Sequence, residues 1–260
     1  MSTPKLVLCE TIDPGLPGIE SYSPFCLKVN RALKAARLPY ERRHGAQPGS
    51  FKRYNPLGQV PVLLVDGAPL ADSTDILRRI AELRPGAFAV DAEAWLWEEL
   101  ADTAVNGFLV AARWADDRNW PRTLAAYFGG APWFVRALIA PRVRKNVIRR
   151  LEARDIWRAG AERCWQRFEV LLDQLEARAP ERGYWCGGGG AAGGGKTISV
   201  ADLALFAQLH SLRTPLTQPQ RDSLARRKRL STWLDRVHED TQCAVPIDSS
   251  ASSSYSAAAS

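Results

Sequence analysis

The chain has 260 residues, of which 46% are hydrophobic and 24% charged, a composition typical of a globular protein with one large or two modest domains. It contains no run of about 18 apolar residues, so no membrane-spanning helix is predicted. The first residues lack the charged and apolar regions of a signal peptide. Five scattered cysteines without a C-x-x-C pair indicate neither a disulfide framework nor a structural zinc site. We therefore expect a cytoplasmic protein without a membrane partner.

The net charge of +7 raises the question of a nucleic-acid partner. Much of the excess lies in residues 136–158, and a second basic cluster is Arg226–Arg229. Basic runs on helices are usually solvated faces. The neighbouring Trp133, Phe134 and Trp157 are not interleaved with the bases as a stacking platform requires. We expect solvated helix faces and no nucleic-acid partner.

Strand and helix signals alternate along the chain up to Pro85. Lys5–Thr11 is short, apolar and β-prone, and Pro24–Ala36 has apolar residues at helical spacing. The spacing predicts an inward face made of Phe25, Val29, Leu33 and Ala36. It also predicts a solvated basic face made of Lys28, Arg31 and Lys34.

Three short strands are predicted next, at Pro39–Arg43, Val60–Val65 and Pro69–Leu70. The turn Asp66-Gly67 joins the last two as a hairpin. Asp72 then opens a helix that Pro85-Gly86 ends. The predicted element order is β-α-β-β-β-α.

Strand signals vanish after Glu93, and the rest of the chain is predicted to be helical. Amphipathic helices are expected at Ala94–Ala115, Arg142–Ala179 with a break near Gly160, Val200–Leu212 and Leu230–Glu239. We expect an α/β domain over residues 1–86, a helical domain over residues 93–245, and a disordered Ser/Ala tail over residues 246–260.

Five short patterns, in order along the chain, resemble the glutathione S-transferase family. They are Ser21–Val29 (SYSPFCLKV), Asn55–Leu63 (NPLGQVPVL), Leu70–Ile76 (LADSTDI), Thr197–Ala204 (TISVADLA) and Leu230–Val237 (LSTWLDRV). The resemblance implies a thioredoxin-like domain followed by the all-helical C-terminal bundle of that family. Residues Ser23–Val29 and the basic stretch before Asp155 also resemble the metaxin and failed-axon-connections branch.

The resemblance also implies a glutathione-dependent transferase without a metal. Glutathione would be the co-substrate, a small hydrophobic electrophile would occupy a pocket formed within Ala94–Trp133, and the protein would be a homodimer. Ser23 would be catalytic by stabilising the glutathione thiolate. The groups implied to hold glutathione are Gln59, Val60, Pro61, Asp72 and Ser73.

Each of these positions also has a purely structural interpretation. Ser23 before Pro24 is a typical helix N-cap, Val60-Pro61 suits an ordinary edge strand, and Asp72 or Ser73 suits a second cap. A cap and a ligand contact can coexist in one residue. Tyr22 is a competing hydroxyl for the thiol. Asp72 is shorter than the Glu or Gln that the family more often has before this serine.

Two alternatives to the transferase hypothesis remain, and one of them depends on Cys26. It stands at the second cysteine position of a glutaredoxin-like motif whose first cysteine is Ser23, and a buried structural thiol is expected there. A glutathione-dependent thiol oxidoreductase or isomerase would have to work through Cys26 alone. The other alternative is a non-catalytic protein that only binds glutathione.

Four remaining signals are assigned to structure rather than chemistry. Gly190–Thr197 fits the phosphate-loop pattern but follows no buried strand, so Gly187–Gly195 is interpreted as a flexible insertion. Ser199-x-x-Asp202 is a capping box. The histidines are too scattered to suggest a metal site. Tryptophans at positions 95, 97, 114, 120 and 133 are expected in core and interface packing, with some lining the electrophile pocket.

Overall fold

The computed structural model describes residues 4–16, 18–45, 47, 49–186 and 194–242. Strand β1 (Leu6–Thr11) is one of the two interior strands of a four-stranded sheet. The other strands are β2 (Glu41–Gly45), β3 (Val62–Val65) and β4 (Ala68–Ala71), in the spatial order β2-β1-β3-β4. β1 pairs parallel with β2 and antiparallel with β3, and β3 pairs antiparallel with β4. The mixed sheet is thioredoxin-like.

Two helices complete this part of the chain in the predicted order: α1 (Pro24–Ala35) between β1 and β2, and α2 (Ser73–Leu83) after β4. α1 begins where Pro24 supplies a preset φ at its first position. The β3–β4 hairpin turns at Asp66 and Gly67, both with positive φ, as an Asp-Gly turn of this kind requires.

Both faces of β1 are buried, and they differ in chemistry. Val7 and Cys9 belong to an apolar cluster with Phe51, Val62 and Leu64. Side chains alternate across a strand, so Glu10 points to the other face, where its carboxylate accepts a hydrogen bond from Asn30 of α1 at 2.7 Å. A fully buried carboxylate therefore lies beside the helix that carries the candidate catalytic serine.

The basic face predicted for α1 is wrong in part, because Lys28 and Arg31 are fully buried. Arg31 donates to the carbonyl of Gly18 at 3.0 Å and forms an ion pair with Glu20 at 3.2 Å. Lys34 reaches the same carboxylate at 2.6 Å. The loop before α1 thus supplies partners that the spacing within the helix does not reveal.

The rest of the described chain is helical. Its elements are α3 (Ala92–Leu100), α4 (Asn106–Val110), α5 (Trp120–Phe128), α6 (Ala140–Ala153), α7 (Gly160–Arg178), α8 (Val200–Leu212), α9 (Gln218–Ala225) and α10 (Lys228–Gln242). π-Helical turns at Ala101–Val105, Ala111–Ala115 and Val135–Ile139 and a 3-10 turn at Pro215–Thr217 lie between them. The helix expected over Ala94–Ala115 is therefore interrupted by π turns, and the break near Gly160 is confirmed.

Helix α8 is buried along its whole length. At its start, the main-chain amide of Asp202 donates to the Ser199 hydroxyl, while the Asp202 carboxylate accepts from the Ser199 amide at 2.9 Å. This confirms the capping box. The same carboxylate accepts from the Trp185 amide and from the Trp233 indole at 2.8 and 2.9 Å.

The described residues form two compact units, the first running up to Ala87 and including Thr241 and Gln242, the second spanning Phe88–Asp240. Residues 187–193 of the glycine-rich insertion and the predicted disordered tail lie outside the described residues. Within the described ranges, no helix combines the length and the apolar character needed to cross a bilayer.

Candidate functional site

Three segments of the first unit meet at one end of the sheet because of its register. Cys9 of β1 pairs with Val62 of β3, and Val62 pairs with Ala71 of β4, both antiparallel. The end of β1, the residues before β3 and the start of α2 therefore share an edge. The register thus brings the segments of Val60 and Asp72 to the end of β1, and the contact between the Thr11 and Ser21 hydroxyls at 2.6 Å connects the segment of Ser23 to the same end.

Ser23 caps α1, as expected for a serine before a proline. Its backbone is extended (φ −80°, ψ 116°), and its hydroxyl oxygen accepts a hydrogen bond from the Cys26 amide at 3.3 Å. The side chain is half-buried, as is that of Tyr22 beside it. The capping role is therefore present, and it leaves the hydroxyl proton of Ser23 as a donor.

Ser21 connects this turn to the end of β1, although the sequence did not indicate it as a site residue. Its fully buried hydroxyl lies 2.6 Å from the Thr11 hydroxyl and accepts from the Ser23 amide at 3.2 Å. The end of β1 is thereby connected to the helix cap by two side-chain hydrogen bonds. The Ser-x-Ser-Pro spacing was the one signal in the sequence for this arrangement.

Cys26 is fully buried, which confirms the expectation of a structural thiol. Burial, assisted by the nearby Glu10 carboxylate, raises the pKa of the Cys26 thiol to about 12, although hydrogen bonds with Ser23, Ser21 and the Thr11 main chain oppose the rise. A thiol with this pKa stays protonated at neutral pH, and the thiolate is the nucleophilic form. Cys26 is thus unsuited to thiol exchange.

The Val60-Pro61 peptide bond is cis. The turn before it is shaped by Asn55, whose side-chain amide donates to the Gln59 carbonyl at 3.1 Å and whose side-chain oxygen accepts from the Leu57 amide at 3.1 Å. The Gln59 side chain is exposed and Val60 is half-buried. Within the described part of the chain, no main-chain hydrogen bond of Val60 is found. Its backbone can therefore pair with an extended peptide.

Asp72 caps α2 through a backbone conformation that residues with a side chain rarely adopt (φ 78°, ψ 126°). One carboxylate oxygen, Oδ1, accepts from the amides of Thr74 and Asp75 at 2.8 and 3.4 Å. The structural cap is confirmed, but an ordinary cap has β-region angles. A positive φ of this kind costs about 1–3 kcal/mol and tends to occur at functional sites. Ser73 follows as the buried first residue of the helix.

The electrostatics of this edge favour an anion. α1 and α2 both begin here, and each helix N-terminus carries roughly half a positive elementary charge. The first turn of α1 contains no acidic residue, whereas that of α2 contains Asp75. The start of α1 can therefore stabilise a negative group of a ligand, whereas the carboxylates of Asp72 and Asp75 offset part of the positive charge at the start of α2.

The loop between β1 and α1 is fixed against this unit by basic side chains. Arg42 of β2 donates to the Glu20 carbonyl at 2.7 Å and forms an ion pair with the buried Glu10 carboxylate at 2.5 Å. Arg31 and Lys34 bind the Glu20 side chain. The loop between β1 and α1 is thus anchored at its end, next to Ser21.

The tryptophans of the helical unit differ in burial: Trp233 is fully buried, whereas Trp114 and Trp120 are half-buried. Trp114 packs on Trp120, Tyr127 and Phe128 with ring centroids 6.0, 5.1 and 6.5 Å apart. This aromatic cluster keeps part of its apolar surface accessible, because Trp114 and Trp120 are half-buried. Trp133 is 79% exposed, so the expectation that it packs in the core is wrong, and its packing at an interface stays a prediction.

No group of three or more His, Cys, Asp or Glu side chains is arranged to hold a metal ion in the part of the chain that the structure describes.

Glutathione is a peptide with a thiol, two carboxylates and an ammonium group. The described edge offers a main-chain pairing site at Val60, hydroxyl groups, two helix N-termini and the Asp72 carboxylate. These are groups of the kind that pair with a peptide backbone, a thiolate, carboxylates and an ammonium group, respectively.

Comparison with known proteins agrees with the architecture. The model of the glutathione S-transferase N-terminal domain matches residues 22–83, and that of the C-terminal domain matches residues 158–236. These matches do not show the metaxin likeness.

Three solved structures have a similar fold. A glutathione S-transferase from Pseudomonas fluorescens is 20% identical, with a TM-score of 0.52 over 89% of this chain and 93% of that one. A second family member from that organism, solved with two glutathione molecules bound, is 14% identical with a TM-score of 0.55 over 91% and 92%. The β-etherase LigF from Sphingobium is 19% identical with a TM-score of 0.53 over 91% and 98%.

Proposed function

The chain belongs to the glutathione S-transferase family, and on that premise we propose that it binds glutathione along Val60 and activates its thiol for attack on a small apolar electrophile. The observation that carries the proposal is the edge where the sheet register and the Thr11–Ser21 contact bring together the capped start of α1, the cis turn before Pro61 and the strained start of α2. Glutathione would be a co-substrate, with no metal.

Each ligand group has a counterpart at this edge. The amide and carbonyl of Val60 would pair with the cysteinyl unit of glutathione, and the exposed Gln59 would reach its glycyl end. The Ser73 hydroxyl and amide at the start of α2 suit the γ-glutamyl carboxylate. Since both cap bonds of Asp72 use Oδ1, its other oxygen, Oδ2, is assigned to the ammonium group.

Ser23 is the proposed catalytic residue. A free thiol has a pKa of about 8.5, and lowering it by about two units requires roughly 2.7 kcal/mol of preferential stabilisation of the thiolate. A hydroxyl donor to a charged acceptor contributes about 1.5–3 kcal/mol, and the start of α1 adds about 0.3–1 kcal/mol. Because the Cys26 thiol stays protonated, it does not require the Ser23 proton, which is then available to the glutathione sulfur.

The aromatic cluster around Trp114 is proposed as apolar surface for the electrophile. A homodimer in the cytoplasm, as the family resemblance implies, is part of the same proposal. The four described cysteines are free and buried, which suits a reducing compartment. Analytical ultracentrifugation of the full chain tests the dimer.

The proposal is tested by calorimetric titration with glutathione, followed by ultraviolet absorbance of the bound thiolate against pH. Binding with a thiol pKa well below about 8.5, together with conjugation of halogenated nitroaromatics or α,β-unsaturated carbonyls, supports the transferase. Binding with an unshifted thiol pKa and no turnover of any electrophile would favour the non-catalytic alternative. The absence of glutathione binding would refute both.

A further inference from the structure

The segment that precedes α6 exposes large apolar side chains in an unusual concentration. Trp133, Phe134, Leu138 and Ile139 are 79%, 49%, 55% and 46% exposed. The π turn Val135–Ile139 within this segment has no buried residue at all. Single exposed apolar residues are normal on protein surfaces, but four within seven positions form a patch of the kind that marks an interaction site.

The same segment lies in the most one-sided charge distribution of the chain. Between Asp117 and Glu152 there is no acidic residue, while the basic ones are Arg118, Arg122, Arg136, Arg142, Arg144, Lys145, Arg149 and Arg150. Arg118 and Arg144 pair with Asp116 and Asp117. For the exposed bases at positions 136, 142, 145, 149 and 150, no ion pair with any described carboxylate is found.

Leu138 and three of the bases share one side of the helix. Leu138, Arg142, Lys145 and Arg149 follow at spacings of four, three and four residues, which is the repeat of a single helix face, and all four are exposed. The Arg142 guanidinium donates to the Leu138 carbonyl at 2.7 Å, so the first base is held beside the apolar end. Trp133 and Phe134 pack edge to face at 6.2 Å.

This surface, made of Trp133, Phe134, Leu138 and Ile139 with the bases at positions 142, 145 and 149, is called here the apolar-basic face. We propose that the apolar-basic face docks on an anionic phospholipid surface. Tryptophan, phenylalanine and leucine beside lysine and arginine are the composition of helices that lie in the membrane interface, and tryptophan is enriched at that depth. Anionic headgroups would neutralise the unpaired bases.

The charge and the composition of the apolar-basic face favour an anionic phospholipid surface over a second copy of this chain and over a nucleic acid. A second copy meeting the same face would bring together two sets of three positive charges that form no ion pair within the described chain, and like charges across an interface cost several kcal/mol. A nucleic acid would satisfy the charge, but Trp133 and Phe134 precede the bases in the chain instead of alternating with them, as a stacking platform requires. The aliphatic Leu138 and Ile139 have no counterpart on a phosphate backbone. The proposal replaces the expectation of no membrane partner, which rested on the lack of a spanning segment.

The test is flotation of the full chain with vesicles of phosphatidylcholine alone and of phosphatidylcholine mixed with phosphatidylserine. We expect binding only to the mixed vesicles, weakening as sodium chloride is added. Arg142→Glu with Arg149→Glu should weaken it at least about 25-fold, since each base near a charged surface is worth about fivefold. Trp133→Ser with Leu138→Ser should weaken it at least about tenfold.

Matched controls come from the same unit. Leu96 is 73% exposed, and Arg163 and Arg182 are exposed bases; Leu96→Ser and Arg163→Glu with Arg182→Glu should leave binding unchanged. Trp133→Phe should keep binding while reducing the quenching of tryptophan emission by brominated lipids. All the altered side chains on the apolar-basic face are exposed, so circular dichroism and thermal unfolding should match the parent protein.

Three results would overturn the proposal. One is binding to phosphatidylcholine vesicles that is as strong as binding to the mixed vesicles, or a loss of binding in the control variants that is as large as in the variants of the apolar-basic face. Another is conversion of a dimer to a monomer by Trp133→Ser with Leu138→Ser without any vesicle binding by the parent, which would assign the face to a second copy. The last is an electrophoretic shift of a duplex oligonucleotide by the parent protein where mixed vesicles are not bound.

Discussion

The main-chain amide of Ser23 donates a hydrogen bond to the buried hydroxyl of Ser21, 3.2 Å away. That hydroxyl also lies 2.6 Å from Thr11 at the end of β1. The proposed catalytic hydroxyl therefore takes its position from the sheet through Ser21, and not from the helix cap alone.

Ser21→Ala should lower the free energy of unfolding by about 1–3 kcal/mol, because it leaves the Ser23 amide and the Thr11 hydroxyl without their buried partner. Urea unfolding measures this. Adding Thr11→Val should cost less than the sum of the two single changes, since both remove one shared interaction. Thr232→Ala, at an exposed threonine of α10, should change stability by less than about 0.5 kcal/mol. Strict additivity of the first two changes would contradict the coupling.

Ser23→Ala and Ser23→Gly should separate the cap from the catalytic role. Alanine at an N-cap costs about 1 kcal/mol of stability, whereas glycine costs only a few tenths. Both remove the hydroxyl, so both should lower kcat/KM about 10–100-fold near neutral pH. The deficit should shrink above a pH of about 8.5, where glutathione ionises without help. A deficit that is the same at every pH would remove Ser23 from thiol activation.

The sequence predicted the fold where local rules decide the structure. Pro24 fixes the start of α1, Asp66-Gly67 sets the hairpin turn, and Ser199 caps α8, all within a few residues of chain. The same rules could have found α5 and α9, which the sequence analysis missed. Pro121 and Pro219 stand in their first turns, where proline is favoured.

Long-range partners account for what the sequence could not predict. Arg31 is buried because its partners, Gly18 and Glu20, come from the preceding loop, and no spacing within α1 reveals that. The Ser21–Thr11 contact likewise depends on how the loop between them folds back. The strain at Asp72 depends on how α2 starts after β4, so an aspartate in the sequence predicts its cap but not its φ of 78°.

Cys26→Ala should leave transferase activity within about twofold of the parent and cost about 1 kcal/mol of stability. The reason is that burial raises the pKa of this thiol to about 12, which keeps it protonated and unreactive. Mass spectrometry after iodoacetamide treatment of the native protein should find Cys26 unmodified, and modified once urea is present. Loss of activity in a well-folded Cys26→Ala protein would restore the thiol oxidoreductase hypothesis.

Glu20→Gln should destabilise the protein by about 1–3 kcal/mol at pH 7. Burial alone would raise the pKa of Glu20, but Arg31 and Lys34 lower it overall, below the ordinary value of 4.5. A carboxyl whose folded pKa is depressed stabilises the fold above its unfolded pKa, and this contribution is lost as the pH falls through the folded value. The difference between parent and variant should therefore be largest at neutral pH and fade in acid.

Urea unfolding from neutral pH down to pH values below the folded pKa of Glu20 checks this prediction. Glu82→Gln is the matched control, because Glu82 pairs with Arg79 on an exposed helix surface where ion pairs contribute little. A Glu20→Gln deficit that stays constant into strong acid would show that packing, rather than the ion pairs with Arg31 and Lys34, stabilises the loop.

Asp202→Asn should lower the free energy of unfolding by about 3 kcal/mol, the largest effect expected here from a change outside the candidate site. The Asp202 carboxylate accepts from the Ser199 amide, the Trp185 amide and the Trp233 indole. An asparagine side chain has a single accepting oxygen, so at least one of these buried donors would face an NH₂ group. Ser199→Ala, which removes only the capping hydroxyl, should cost about 1 kcal/mol. Equal costs for the two changes would mean that the capping box alone, and not its connection to Trp185 and Trp233, gives Asp202 its role in stability.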